Sequence, residues 1–138
     1  MAIYLLDCNH LSAALHKVSV LRDRIHQERR SGNRFVCCFP VLCELEAGIQ
    51  QTAKPAENRR RLGQLLRHVR MWSIDADTAR LFGEVFNELR QKGRILSQVD
   101  MMLAALGRQH TPVILTTDRD FEALPDLRVE NWISQPSP

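Results

Sequence analysis

Ile3, Tyr4, Leu5 and Leu6 form an unbroken apolar run, and the run ends on Asp7. A strand with one wet face alternates apolar and polar residues. A run that does not alternate is covered on both faces, the mark of a parallel sheet held between helices. The pattern returns in "PVILTTD", which delivers Asp118 to the end of a second apolar run, and the β-rich "RFVCCF" lies between them. Segments of helical spacing separate these runs, so the expected fold is α/β, with a central, mostly parallel sheet flanked by helices. A carboxylate at the end of a buried strand is costly without a partner or a cation. Asp7 is therefore either a helix cap or part of a site.

Met1 to Cys8 reads as a buried strand, followed by helix to about Arg30 in two pieces, with Asn9 or Ser12 as the cap. Ser31, Gly32 and Asn33 stop it. After "RFVCCF", Pro40 opens a helix through "VLCELEAGIQQ". Ala56 to Val69 reads as an arginine-rich helix and "VRMWSID" as a short strand or connector. Asp77 to Lys92 reads as a helix with Leu81, Val85, Phe86 and Leu89 facing the core. Ser97 caps a helix over "QVDMMLAALGRQ", "RDFEALPD" is a turn or short helix, and "LRVENW" is a last strand. Residues 1–133 are expected to form a single domain and 134–138 a flexible tail.

Several function classes are set aside by what the chain lacks. No apolar run approaches the ~20 residues of a membrane span, and the start of the chain has no signal-peptide pattern. A cytoplasmic protein with no membrane association is expected. Cys8, Cys37, Cys38 and Cys43 form no CxxC pair, so they read as free thiols rather than a zinc site or a disulfide framework. The net charge is +3, and only three of the 19 basic residues are lysine, namely Lys17, Lys54 and Lys92. The planar fork of arginine suits phosphate oxygens. Arg22, Arg24, Arg29, Arg30 and Arg34 fall in one stretch, and Arg59, Arg60, Arg61, Arg67 and Arg70 in another. They are either solvated helix faces or phosphate contacts.

Two further acids sit among apolar residues. Glu44 follows Leu42 and Cys43 early in a helix, and Asp100 lies in a first helical turn between Val99 and Met101. In open α/β sheets, ligands bind outside the carboxyl ends of the strands. Asp7, Glu44, Asp100 and Asp118 can converge there. Converged without a cation they would repel or hold protons; Mg²⁺ or Mn²⁺, which take hard oxygen ligands, would neutralise them. Such an ion activates water and binds phosphate. Acids with arginines nearby thus point to phosphodiester hydrolysis.

The segments "YLLDCNHLS", "FPVLCELEAGI", "SQVDMMLAALG" and "VILTTDRDFEALPDLRVENWI", in this order, resemble the PIN-domain nucleases, with the VapC-type toxins of bacterial toxin–antitoxin pairs as the nearest group. The resemblance implies a three-layer PIN-like fold and a metal-dependent ribonuclease using Mg²⁺ or Mn²⁺. It implies Asp7, Glu44, Asp100 and Asp118 as the acids that hold metal and carry catalysis. Asp120 ranks second to Asp118 for the last place. Asn9 would support the first acid by hydrogen bonding, and Thr116 the last. Arg94 would help hold the RNA backbone, while His10 reads as a helix-surface residue and Glu46 as a surface ion-pair residue. Cys8 stands where these proteins usually carry threonine, and strand alternation would turn it away from Asp7. An RNA substrate, a VapB-like antitoxin and a homodimer are implied, with the apolar face around Leu42, Leu45 and Ile49 as one seat for the antitoxin.

The alternative is a catalytically silent PIN-like protein or RNA-binding module, which the presence of all four acids opposes. A haloacid-dehalogenase-like phosphatase needs a second aspartate where Asn9 stands, and a receiver domain needs a lysine after a late strand.

Overall fold

The structure, a computed structural model, describes residues 1–133. The chain runs β1 (Ile3–Leu6), α1 (Cys8–Ala14), α2 (Val20–Arg30), β2 (Arg34–Cys38), α3 (Phe39–Gln50) and α4 (Pro55–Leu65). It continues through β3 (Val69–Trp72), α5 (Ala76–Gln91), α6 (Gln98–His110) and β4 (Val113–Leu115), and after a 3-10 turn (Arg119–Ala123) it ends in β5 (Arg128–Glu130). The strands form one sheet in the order β3-β2-β1-β4-β5, with every neighbouring pair parallel. The α/β fold with a parallel sheet flanked by helices is therefore as the apolar runs predict. The expected tail, 134–138, lies outside the described residues.

The strand order fixes where a site can form. The chain moves outward from β1 to β2 to β3, then returns to lay β4 on the other side of β1. Right-handed crossovers put α1 to α4 over one face of the sheet and α5 and α6 over the other. The direction of winding thus reverses at β1, and the crevice between the carboxyl ends of β1 and β4 is where such folds bind ligands.

The buried strand residues Leu5, Leu6, Phe35, Val36, Val113, Ile114 and Leu115 form the middle of the core, with Leu11, Val41, Leu103 and Leu106 from the helices packed on it. Gly107 permits the close approach of α6 to the sheet: a Cβ there would meet Ile114 Cδ1 at 2.8 Å and Leu127 Cδ2 at 3.0 Å.

Some local expectations are corrected. β1 ends at Leu6, and Asp7, rather than Asn9 or Ser12, is the N-cap of α1. The helix α4 stops at Leu65, because Val69 already pairs with Phe35 in the sheet. Phe86 is 50% exposed: Val85 and Leu89 occupy the core-facing stripe of α5, and the next residue round points outward. Ser97 caps α6 as its spacing predicts.

Candidate active site

Asp7 is buried at the crevice, held by hydrogen bonds rather than by a cationic side chain of lysine or arginine. Its backbone N–H donates to the Leu115 carbonyl at 3.0 Å, tying the exit of β1 to that of β4. Its Oδ1 accepts the His10 N–H at 2.7 Å, the capping bond of α1, and also the His10 ring at Nδ1, 2.9 Å away. Its Oδ2 receives only a long contact from the Thr117 N–H, at 3.4 Å. The helix-cap reading of Asp7 and the site reading are thus compatible: one oxygen caps, and the other faces the crevice with little to satisfy it.

The polar residues around it divide differently from expectation. Asn9 donates from Nδ2 to Thr117 Oγ1 at 2.9 Å, so it braces the β4 exit rather than the Asp7 carboxylate. Thr116, buried, accepts the Asp118 N–H at Oγ1, 3.1 Å away, and so shapes the turn that presents the last acid. Asp118 caps the 3-10 turn by accepting the Asp120 N–H at 2.8 Å. Asp120 itself is ion-paired: Arg94 donates to its Oδ1 from Nη2 at 2.8 Å and from Nε at 3.1 Å. That exposed pair leaves Asp118 the freer of the two aspartates.

His10 is not a surface residue. It is fully buried, and its Nε2 accepts the Trp132 backbone N–H at 3.1 Å. The ring proton therefore sits on Nδ1, pointing at Asp7. The signal available in the sequence was its place three residues after an acid that ends a strand, which brings the two side chains together over the first helical turn.

The four acids share one electrostatic neighbourhood. Asp100, half-buried in the first turn of α6, has its carboxyl pushed up to about 6 by burial. The Ser97 hydroxyl pulls the other way, while Asp118 and Asp7 push it up further. The Cys8 thiol is pushed up to about 11 by burial, then by Glu44, Asp7 and Asp100. Cys8 begins α1, so the alternation of β1 does not set the direction of its side chain. Glu44 is exposed on α3 and lines a depression with Cys8 and Asn9. Glu46 pairs with Arg59 at 3.5 Å, as a surface residue should.

Among the described residues, no three His, Cys, Asp or Glu side chains close into a ready-made cation cage. The donor set still suits Mg²⁺ or Mn²⁺. It is all oxygen, burial with Asp118 and Asp7 raises the Asp100 carboxyl, and Mg²⁺ keeps several waters while using one or two carboxylates.

The family model described as "PIN domain" matches residues 4–127 of this chain. The chain is 27% identical over 131 residues to Ribonuclease VapC2 of Rickettsia felis, covering 94% of this chain and 98% of that protein. It is 25% identical over 134 residues to the tRNA(fMet)-specific endonuclease VapC of Salmonella typhimurium, covering 96% and 99%. Its backbone superposes on a crystal structure of VapBC2 from Rickettsia felis bound to a DNA fragment from their promoter. That match has a TM-score of 0.85 and 26% identity, over 95% of this chain and 99% of that one.

Proposed function

The chain belongs to the PIN domain family, and on that premise we propose that it is a metal-dependent endoribonuclease, the toxin half of a toxin–antitoxin pair. The observation that carries the reading is the crowding of carboxylates at the crevice where the winding reverses, with Asp100 forced toward neutrality by burial, Asp118 and Asp7. The names of similar proteins, a ribonuclease and a tRNA endonuclease, support the same reaction.

Asp7, Asp100 and Asp118 would hold one or two Mg²⁺ or Mn²⁺ ions, and Glu44 would complete the set or orient the attacking water. When bound, such an ion supplies an acidic water as nucleophile and a positive centre for the charge that develops on phosphorus. The protein's part is positional. His10 and the α1 N-terminus fix Asp7 Oδ1, Thr116 and the 3-10 turn fix Asp118, and Ser97 fixes the start of α6. No side chain has to form a covalent bond to the substrate.

A VapB-like protein antitoxin follows by similarity to the Rickettsia felis VapBC2 complex, and the homodimer belongs to the same proposal on the family resemblance alone. Leu45 and Ile49 are buried in the core, so of the three residues expected to receive the antitoxin only Leu42 retains exposed surface. The silent-module alternative is opposed by the presence of all four acids.

The test is cleavage of bulk RNA by the purified chain, stripped of any partner, with Mn²⁺ or Mg²⁺, with EDTA, and with Asp7→Asn. Cutting that requires both metal and Asp7 is expected. Cutting that persists in EDTA or in the variant overturns the metal mechanism, and no cutting by a folded wild type in either metal favours the silent module.

A further inference from the structure

Three depressions run end to end across the surface, each sharing two lining residues with the next. The first holds Cys8, Asn9 and Glu44, so it opens beside one of the four candidate acids, and Lys17 and Arg61 also line it. Those two line the second, of about 440 Å³, together with Arg67 and His68. Arg67 and His68 in turn line the third, of about 530 Å³, which ends among Arg29, Arg34 and Arg70. Glu44 is the only acidic side chain that lines any of the three. The path also has a direction. Arg34 stands opposite Ile3 where β2 and β1 begin, whereas Asp7 stands where β1 ends, so the track leads from the carboxyl ends of the strands to their amino ends.

The charges along it are poorly neutralised. Arg61 is engaged with Glu57, and Arg22 donates to the carbonyls of Ala14, His16 and Lys17. Arg29, Arg34, Arg67 and Arg70 are exposed and have no carboxylate partner among the described residues. Their field is felt at His68, whose ring is held below its ordinary range by burial, then by Arg29, His26 and Arg67. Unpaired arginines side by side repel, so the arrangement is favoured by an anion that spans them. Trp72 walls the third depression and gives a base a ring to stack against.

We propose that this track binds the phosphate backbone of a single-stranded segment of the substrate RNA flanking the cleavage point. The inference rests on the ribonuclease reading and adds to it where the affinity for long substrates comes from. The track begins beside Glu44 and carries one sign of charge onward, which suits a repeating polyanion running on from the candidate site better than an acidic patch on a folded protein.

The test uses the triple variant Arg34→Gln, Arg67→Gln, Arg70→Gln in the full chain, with Arg→Lys at the same positions as the charge-retaining variant. Labelled RNA strands of about 4 and about 16 nucleotides, near the limits of single-strand site sizes, are titrated in EDTA over a range of salt. Three lost phosphate contacts flatten the slope of log affinity against log salt by about 2 for the longer strand. The expected result is that flattening, at least about a tenfold weaker binding of the long strand at low salt, little change for the short one, and retention of the slope by the lysine variant. An unchanged slope for the long strand, while the wild type still cuts RNA with metal, overturns the track and leaves the nuclease reading standing. Equal losses on both strands, or tighter binding of duplex DNA lost in the same variant, also overturn it. A wild type that neither binds nor cuts RNA overturns both readings.

Discussion

His10 sits against Asp7 with both ring nitrogens in use, Nδ1 on the Asp7 carboxylate at 2.9 Å and Nε2 on the Trp132 backbone N–H at 3.1 Å. The second bond fixes the tautomer that makes the first possible. A carboxylate at a crevice is therefore aimed by a residue near the end of the chain. Trp132 is itself anchored, packed at a tilt against Tyr4 with ring centroids 4.6 Å apart and covered by the Arg24 guanidinium at 3.6 Å.

His10→Ala leaves the Trp132 N–H without its acceptor and Asp7 without the ring donor, and opens a cavity beneath the site. Each buried polar group left unpaired costs about 1–3 kcal/mol, so a loss of roughly 2–4 kcal/mol is expected in urea unfolding. A variant as stable as the wild type would show that the ring is dispensable to the fold.

Asp7→Asn and Asp7→Ala separate the two roles of one side chain. Asparagine caps a helix about as well as aspartate, while alanine loses about 1 kcal/mol. Both variants remove the charge at the crevice. Cleavage is expected to fall at least about a hundredfold in each, the scale of losing one group that stabilises transition-state charge, but only the alanine variant unfolds earlier. Equal thermal stability of the two would deny Asp7 its capping role.

Asp100 gives a pH dependence. Its folded carboxyl is raised to about 6 from 3.8, so the folded state holds this proton more tightly than the unfolded one. The stabilising contribution is fully present below pH ~4 and is lost as pH rises through about 6. In EDTA, Asp100→Asn is therefore expected to gain stability over the wild type between pH 4.5 and 7, a gain that added Mn²⁺ reverses. Melting curves at the two pH values decide it: a difference that does not change with pH removes the repulsive cluster.

Arg108 gives the opposite slope. It donates to Glu88 Oε2 on α5 at 2.7 Å and to Asp126 at 2.9 and 3.1 Å, and these bonds hold both carboxyls below their ordinary range. Lowered carboxyls stabilise above their unfolded pKa and cease to do so as pH falls through the folded one. Arg108→Gln should melt earlier than the wild type at pH 7, with the gap closing below pH ~4. A gap that stays constant into acid would assign its cost to lost packing.

Asp118→Asn and Asp120→Asn distinguish two neighbours. The Arg94–Asp120 pair is solvent-exposed, and such pairs contribute about 0–1 kcal/mol. Asp120→Asn is expected to change metal-dependent cleavage less than about threefold in a fluorescent RNA assay, a ΔΔG well under 1 kcal/mol by the tenfold-per-1.4 rule. Asp118→Asn is expected to abolish it. The reverse ranking would exchange their roles.

The architecture was legible because burial on both faces leaves no alternation to hide it: "IYLL" and "VIL" could be little else than inner parallel strands. The acids were legible for the same reason, each standing where an apolar pattern has no use for charge. What the linear pattern could not reveal are pairings fixed by distant segments. Arg94 and Asp120 lie 26 residues apart, and Asn9 and Thr117 lie 108 apart, so neither partner could be assigned from its neighbours. His10 was misread because a polar residue in a first helical turn is usually wet, and only the arrival of Trp132 seals it in. Phe86 was misread because two adjacent apolar residues, Val85 and Phe86, compete for one stripe.

The sheet puts its first strand beside its fourth, and Asp7 meets Thr117 across 110 residues, His10 meets Trp132 across 122. During synthesis, Asp7 has no neighbours across the crevice until β4 and the segment after it have been made. A nascent or truncated product that ends before β4 carries the first acids without the rest. The crevice therefore closes only after the segments that carry Asp7, Glu44 and Asp100 have all been made.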